Sequence, residues 1–178
     1  MAPVSLRVAV LAASAALVAP ALAGCGSGGE DTITVSDRAI PFTFDVPKGL
    51  RKATVRPEST KGEPPLLVYK LDRLNLVDVR KSADRELPRD DIERQVAGSL
   101  GRLGFPGRRG EREEHNGIEI ARFEVSNTIS GARATSRLYF FAGGGATWEL
   151  ECQSSGGRAP ELLKACATAV DSVEFKGR

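Results

Sequence analysis

Few side chains in this sequence could carry out a reaction. His115 is the single histidine among 178 residues, so a cluster of histidines cannot be built. No serine lies in the Gly-x-Ser-x-Gly pattern that exposes a nucleophile in many hydrolases. The neighbours of His115 are polar or charged, as in an exposed turn: Glu113, Glu114 and Asn116. We therefore predict that the protein is not an enzyme.

Two other motifs could take part in chemistry but have a simpler structural explanation. Asp90 and Asp91 could form an acid–base pair or bind calcium. They fall in the first turn of a predicted helix, where carboxylates complement the helix dipole and adjacent positions point in different directions. The glycine run 143–145 could cradle a phosphate, yet it lacks the following helix and the Lys-Ser/Thr pair of such loops. We expect a helix start and a hairpin loop, with no metal site and no cofactor.

Cys152 and Cys166 form a candidate disulfide pair. They are 14 positions apart, and closing a loop of that size stabilises a fold by about 3 kcal/mol in the chain-entropy model. Such bonds persist in oxidising compartments. The two residues could instead be buried free thiols or two ligands of a metal, although zinc would need further Cys or His ligands. We predict the disulfide.

The third cysteine, Cys25, follows Leu22, Ala23 and Gly24 at the end of an apolar run that begins after Arg7. A charged start, an apolar middle and small residues before a cleavage site are typical of a secretory signal. The arrangement resembles the lipobox of bacterial lipoproteins, which implies removal of residues 1–24 and lipid on Cys25. An ordinary secreted protein and a retained membrane helix are the alternatives. We predict an extracytoplasmic protein anchored to the cell membrane by lipid.

Composition and charge are those of one globular domain. Apolar residues make up 41% of the chain and charged residues 27%, and 25 Lys and Arg face 23 Asp and Glu. Such a small net charge gives no reason to expect nucleic acid as a partner. Residues 25–31 are rich in glycine and predict a flexible linker. We expect residues 32–178 to form a single domain.

The hydrophobic pattern predicts strands and two helices. Alternation indicates strands at 32–36 and 42–46, a short strand within 50–55, and a hairpin over 66–79. Pro88 opens a helix whose apolar face has helical spacing: Ile92, Val96, Leu100 and Leu103. A second helix begins at Pro160 and carries Cys166 on its apolar stripe.

The strand pattern is strongest from residue 118 onward. Residues 118–120 and 123–125 alternate in opposite phases, so we predict a β-bulge at Ala121 and Arg122 that resets the face. Residues 138–141 and 147–152 flank the glycine run and predict a hairpin. Trp148 and Cys152 share one face of its second strand. A disulfide to Cys166 would therefore hold the last helix on the Trp148 face of the sheet.

Four residues near this hairpin are candidates for binding. Arg133 and Arg137 occupy alternate positions before the glycine run, so they point the same way from one strand. Tyr139, Phe141 and Trp148 could line a pocket between the sheet and the last helix. We therefore predict a binding surface that includes Arg133, Arg137, Tyr139 and Trp148.

The order of these elements resembles PsbP-like domains, and among them the LpqN-type lipoproteins of actinobacterial envelopes. The similarity rests on the segment 42–49, the central helix, the segment 148–152 and the closing segment 169–175. It implies an α+β fold, an antiparallel sheet with helices packed on its faces in an α/β/α sandwich. It also implies a role as a binding module, accessory subunit or envelope factor without catalysis.

Two functions are therefore expected. The first is a lipid-anchored binding or adaptor domain that engages a protein of the cell envelope. The second is a carrier of a lipid or other apolar envelope molecule, held between sheet and helix. An enlarged apolar cavity beside Tyr139, Phe141 and Trp148 would favour the carrier, and a filled core would count against it.

Overall fold

The computed structural model describes residues 31–54, 64–105, 108–129 and 131–177. The predicted signal peptide and Cys25 lie outside these residues. Within the described ranges the chain forms ten strands and two α-helices. The strands are β1 (Thr32–Ser36), β2 (Phe42–Pro47), β3 (Arg51–Lys52), β4 (Leu67–Lys70), β5 (Leu76–Ala83), β6 (Glu111–His115), β7 (Ile118–Ile129), β8 (Ala132–Gly143), β9 (Ala146–Ser155) and β10 (Glu174–Phe175). The helices are α1 (Arg89–Arg102) and α2 (Ala159–Asp171).

Seven strands form a large antiparallel sheet in the order β3-β4-β5-β9-β8-β7-β6. Its central hairpin turns at Gly144 and Gly145, whose φ angles of 61° and 82° lie in the left-handed region that glycine adopts without steric cost. The hairpins predicted over 66–79 and 138–152 are both present. The prediction of an antiparallel sheet in an α+β fold is confirmed.

A second, three-stranded sheet and helix α2 cover one face of the large sheet. The small sheet has the order β1-β2-β10. Its middle strand, β2, pairs on one side with β1 and on the other with β10, which is the last strand of the described chain. Alternate residues of β2 face inward, which buries Phe42, Phe44 and Val46. The apolar stripe of α2 is also buried in this core, and it consists of Leu162, Ala165, Cys166, Ala169 and Val170.

Helix α1 packs on the opposite face of the large sheet, over β7 and β8. Asp90 and Asp91 stand in its first turn after Pro88, as predicted. Ile92 and Leu100 are buried against a second apolar cluster from the sheet, which includes Ala121, Phe123, Val125, Leu138 and Phe140. The large sheet is thus covered on both faces at this end.

The ends of two predicted elements need correction. Leu103 was expected on the buried face of α1, but the helix ends at Arg102 and the Leu103 side chain is 72% exposed. Its backbone leaves the helical path at this position, so the side chain no longer follows the apolar stripe. The strand predicted within 50–55 is limited to two residues, and Val55 lies outside the described residues.

The bulge predicted at Ala121 and Arg122 is wrong. The pairing of β7 with β8 continues without a shift from Ile120 to Ile129. The apolar residues of β7 change from one face to the other for a different reason. The first part of the strand is buried on the face toward the small sheet, and the next part is buried on the face toward α1. Ile120 faces the small sheet and α2, whereas Phe123 belongs to the cluster under α1. A regular strand between two layers therefore gives the same pattern as a bulge.

Candidate functional site

The four residues predicted to bind a partner lie on one face of the large sheet, but only two of them reach solvent. Arg133, Arg137 and Tyr139 alternate along β8, and Trp148 of β9 follows on the same face. Tyr139 and Trp148 are 6% and 4% exposed, because the small sheet and α2 cover this part of the face. The structure corrects the prediction here: Tyr139 and Trp148 belong to the core. The alternation of residues in the sequence showed which side chains share a face of the sheet. It could not show that the small sheet and α2 pack on that face.

The two arginines lie farther along the same face. The Arg137 Nε atom donates to Glu124 Oε2 on the neighbouring strand at 2.9 Å, in a half-exposed ion pair. Arg133 is exposed, and its backbone carbonyl accepts a hydrogen bond from the Ser155 hydroxyl. A half-exposed pair of this kind contributes about 1 kcal/mol or less. Binding by Arg133 and Arg137 stays a prediction.

The space predicted for an apolar ligand is filled by aromatic rings. The Phe42 ring centroid lies 5.2 Å from that of Phe141, 5.4 Å from Trp148 and 5.6 Å from Phe175. The Trp148 Nε1 atom donates to the Gly143 carbonyl at 2.9 Å, so its polar atom is satisfied inside the protein. Edge-to-face contacts of this kind are favourable beyond the area they bury. The residues named for the carrier hypothesis thus form packed core.

Cys152 of β9 and Cys166 of α2 are joined by a disulfide in this core. Both residues are fully buried. The bond holds α2 on the face of the large sheet that carries Trp148, as the spacing of the two residues predicts.

His115 is half-buried between two elements and is not the solvent-exposed turn residue expected. Its Nδ1 atom lies 2.7 Å from Asp171 Oδ1 at the end of α2, and its Nε2 atom lies 3.2 Å from Glu113 Oε2. The next residue, Asn116, donates to the Asp171 carbonyl at 2.7 Å. The β6–β7 turn is thereby tied to the end of α2. Both of these imidazole contacts are with carboxylates, so His115 links the β6–β7 turn to the end of α2.

Asp90 and Asp91 behave as residues of a helix start. Asp90 Oδ1 accepts a hydrogen bond from Arg112 at 2.8 Å, and Asp91 Oδ1 lies 2.9 Å from Arg94 Nη2. The two carboxylates therefore serve different partners. They do not converge on one site.

The strongest concentration of buried charge lies on the α1 face of the large sheet, beside the helix. Asp78 and Arg80 of β5 stand opposite Glu151 and Glu149 of β9. We call these four residues the acidic cluster. The Arg80 Nε atom donates to Asp78 Oδ1 at 2.9 Å, and Nη2 donates to Asp78 Oδ2 at 3.0 Å and to Glu151 Oε2 at 3.2 Å. One guanidinium therefore holds two carboxylates.

Burial makes these charges costly. The side chains of Asp78, Glu151 and Arg80 are 5%, 15% and 30% exposed. Burial raises the pKa of Glu149 to about 7, and the nearby Glu151 carboxylate adds to the rise. Burial also raises the pKa of Glu151, with Asp78 as the second cause. The hydrogen bond from Arg80 to Asp78 raises the pKa of the guanidinium further above its ordinary value. The cluster thus has three carboxyl groups for one guanidinium, and burial favours the protonated form of Glu149 and Glu151.

Sequence analysis missed this cluster. The signal was present, since Asp78 and Arg80 alternate with Val77 and Val79, and Glu149 and Glu151 alternate with apolar residues in the same way. Acidic residues inside a strand point to the face opposite its apolar ones. What the sequence does not show is that β5 and β9 are neighbours, because some 70 residues separate them.

In the part of the chain that the structure describes, no group of three or more His, Cys, Asp or Glu side chains is placed to hold a metal ion. Neither helix in that part is long and apolar enough to cross a bilayer.

The fold has counterparts among solved structures. The chain is similar to CyanoP, the PsbP protein of the cyanobacterium Synechocystis, at 15% identity and a TM-score of 0.52, over 86% of this chain and 98% of CyanoP. It is also similar to LpqN of Mycobacterium tuberculosis, a protein involved in cell envelope biogenesis, at 15% identity and a TM-score of 0.53, over 82% of this chain and 90% of LpqN. The protein therefore has a PsbP-like α+β fold.

A third similar structure comes from Bacteroides thetaiotaomicron, at 13% identity and a TM-score of 0.52. The match covers 78% of this chain but spans only 46% of that protein. No protein-family model matches the sequence, and no curated protein matches it. At such identities the likeness concerns the fold alone, so any site must be argued from the residues of this chain.

Proposed function

We propose that this protein is a lipid-anchored, extracytoplasmic binding domain that engages another protein of the cell envelope and has no catalytic activity of its own. The signal-like N-terminus ending at Cys25 supports the anchor. LpqN, whose fold this chain shares, is involved in cell envelope biogenesis, and this supports a place in the envelope. The contact surface of the proposed adaptor is the acidic cluster with the sheet surface around it.

The observation that carries the proposal is the unequal number of acidic and basic groups in the acidic cluster. Three carboxyl groups lie beside one guanidinium, whose hydrogen bonds go to Asp78 and Glu151. None of these bonds from Arg80 reaches Glu149. A lysine or arginine of a partner protein placed beside Glu149 would supply the missing charge. Electrostatic complementarity of this kind gives a contact its specificity.

The surface next to the cluster suits a protein partner. Leu66 lies just before β4, opposite Arg80 in the extended register, and is 39% exposed. An exposed leucine beside partly buried charge combines an apolar contact with a polar one, as protein interfaces do. This surface of the sheet is where we place the partner.

A pKa near 7 is also typical of a general acid or base, so catalysis by Glu149 is the competing idea. A catalytic group must lie where a substrate can be enclosed. Surface clefts of about 210 Å³ and 400 Å³ lie at the β6–β7 turn, where Ile118 lines both of them, and Glu149 lines neither. We therefore favour binding over catalysis.

Photo-crosslinking from Leu66 tests the contact surface. The full chain, expressed in its own envelope, carries a photoreactive phenylalanine analogue at Leu66 or, as a matched control, at the exposed residue Ala167 on α2. We expect a discrete protein adduct from position 66 and none of that size from position 167. Replacing Glu149 and Glu151 by glutamine should reduce the adduct at least fivefold.

Two results would overturn the adaptor proposal. One is the same adduct from Leu66 and Ala167, which would show that contact is unspecific. The other is an adduct from Leu66 whose yield is unchanged by the glutamine substitutions, because the acidic cluster would then have no part in recognition.

The anchor is tested separately by Cys25→Ala. We expect the variant to leave the membrane fraction while the domain keeps its melting temperature, because the acyl chains supply the membrane affinity. Cys25→Ala protein that stays in the membrane fraction would show that the lipobox interpretation is wrong.

A further inference from the structure

One end of the domain lies close to the attachment point of the proposed lipid anchor. Asp31 follows Cys25 by six positions, so the fully extended chain between them spans at most about 20 Å. The Asp31 carbonyl accepts a hydrogen bond from the Lys48 N–H at 2.9 Å, and the Lys48 ammonium lies 3.1 Å from the Asp31 carboxylate. The β2–β3 turn that contains Lys48 therefore stays near any bilayer that holds Cys25.

The register of the large sheet shows what else lies at this end. One row of paired residues crosses five strands, from β3 to β8: Arg51, Lys70, Leu76, Gln153 and Ser136. Lys48, Arg73 and Arg133 each lie three positions beyond this row, on the same side of it. Asn75 Nδ2 donates to the Ser155 carbonyl at 3.1 Å, which joins the β4–β5 turn to the end of β9. The end of the domain nearest the tether therefore also carries Arg73 and Arg133.

Four cations at this end have no acidic partner in the described part of the chain: Arg51, Lys70, Arg73 and Arg133. We call these four residues the basic end. Arg51 and Lys70 stand directly opposite each other on neighbouring strands, an arrangement in which like charges repel. Arg73 and Arg133 are exposed. An anion outside the domain would relieve this repulsion.

The acidic residues described at this end are already engaged. Asp31 and Glu161 form ion pairs with neighbouring cations, and Asp72 accepts hydrogen bonds within its own turn. The acidic cluster begins farther along the sheet, at Asp78, where Arg80 offsets part of its charge. The surplus charge at the basic end is therefore positive.

We propose that the basic end lies against the anionic phospholipid headgroups of the membrane in which Cys25 is anchored. The spread of the charges suits a surface rather than a small anion. From Arg51 on β3 to Arg133 on β8 there are four strand spacings, or about 19 Å across the sheet. These cations cannot converge on one phosphate group, whereas a bilayer offers headgroups over this whole width.

The anchor and the basic end act together. A lipid anchor by itself leaves a domain free to turn on its linker, and a basic patch adds a second attachment. Exposed charges attract a bilayer only within about 8 Å at physiological salt. The short tether keeps the basic end close to that range, where each Lys or Arg strengthens the attraction to anionic lipid. The inference rests on the proposed anchor at Cys25 and is independent of the adaptor surface.

Fluorescence quenching in vesicles tests this orientation. The full lipidated chain is reconstituted into vesicles of phosphatidylcholine, alone or mixed with anionic phosphatidylglycerol, that contain a lipid with a nitroxide on its headgroup. A nitrobenzoxadiazole label is attached to Thr128→Cys, opposite Arg133, or to the control Ala39→Cys in the β1–β2 turn at the other end of β1; both positions are exposed. When Cys25 is acylated the new thiol alone reacts, because the other two cysteines form the disulfide.

We expect the label opposite Arg133 to be quenched at least about threefold more than the control label in phosphatidylglycerol vesicles, and the two to be quenched alike in phosphatidylcholine. Arg73→Gln with Arg133→Gln should remove the difference. Arg38→Gln with Arg85→Gln removes the same charge from exposed positions at the opposite end and should leave the difference unchanged.

Equal quenching of the two labels in phosphatidylglycerol vesicles would overturn the proposal. So would a difference that survives Arg73→Gln with Arg133→Gln. Flotation separates this failure from failure of the anchor. A chain that floats with phosphatidylcholine vesicles and shows equal quenching overturns the orientation alone. A chain that does not float with those vesicles has no anchor, and both proposals then fall.

Discussion

Gly143 and Phe175 touch so closely that a side chain at position 143 would have to displace the ring: a Cβ atom there would overlap Cζ of Phe175. The ring of the last strand therefore rests directly on the end of β8. This contact holds the small sheet to the large one beside the β8–β9 hairpin.

Gly143→Ala should destabilise the fold. The added methyl group must displace the Phe175 ring from a packed aromatic cluster, and overpacking of this kind costs about 1–3 kcal/mol. Urea unfolding measures the loss. Gly157→Ala is the matched control, because a Cβ at Gly157 would meet no atom within 4 Å. If both variants unfold at the same urea concentration, the contact has no energetic importance.

The acidic cluster should depend on its single guanidinium. Arg80→Ala leaves Asp78 and Glu151 without their hydrogen-bond donor, and we expect unfolding free energy to fall by about 2–3 kcal/mol at pH 8. Arg158→Ala, which breaks the exposed pair with Glu161, should cost clearly less, because exposed ion pairs contribute little to stability. Chemical unfolding of both variants provides the comparison. A smaller loss for Arg80→Ala than for Arg158→Ala would contradict this account of the cluster.

The pH dependence of stability should report on Glu149. Its pKa of about 7 in the folded protein exceeds the value of 4.5 typical of an unperturbed glutamate, so the folded state binds a proton more tightly than the unfolded state. This contribution to stability is therefore complete below about pH 4.5 and is lost as pH rises through 7. Glu149→Gln should remove it, making the variant more stable than the parent by about 2–3 kcal/mol at pH 8 and equal to it at pH 4.5.

The control is Glu114→Gln, at an exposed position of the edge strand β6. Its unfolding free energy at pH 8 should lie within about 0.5 kcal/mol of the parent, as for most surface substitutions. A Glu149→Gln profile parallel to that of the parent would show that Glu149 titrates alike in the folded and unfolded states.

The disulfide should contribute measurably to stability. Removing a bond that closes a 14-residue separation should cost about 3 kcal/mol. We expect Cys152→Ala with Cys166→Ala to melt well below the parent. Reductant should lower the melting temperature of the parent to that of the double variant and leave the double variant unchanged. A double variant that responds to reductant would mean that another thiol pair is responsible.

Sequence reasoning succeeded where a residue's environment is set by its neighbours in the chain. The start of α1 at Pro88, the hairpin at the glycine run and the stripe of α2 that carries Cys166 all follow from local periodicity and turn chemistry. The face of Trp148 was also predictable, because a strand alternates strictly.

The failures within the large sheet have one physical cause, which is that the layers above and below a strand come from distant parts of the chain. Phe123 and Ile120 contact different layers, so the sequence pattern of a regular strand was the same as the pattern expected of a β-bulge. Tyr139 and Trp148 looked accessible until the small sheet covered them. Glu149 received no role from the sequence, because Arg80 and Asp78 come beside it only through the pairing of β5 with β9.

The arrangement of β1, β2 and β10 in one sheet has a consequence for the order of folding. During synthesis β2 is made long before α2 and β10. Until then Phe42 and Phe44 lack the ring of Phe175 and the cover of α2. The small sheet can therefore be completed only when the last strand has been made, so a nascent chain that stops short of β10 leaves the aromatic face of β2 open to chaperones and proteases.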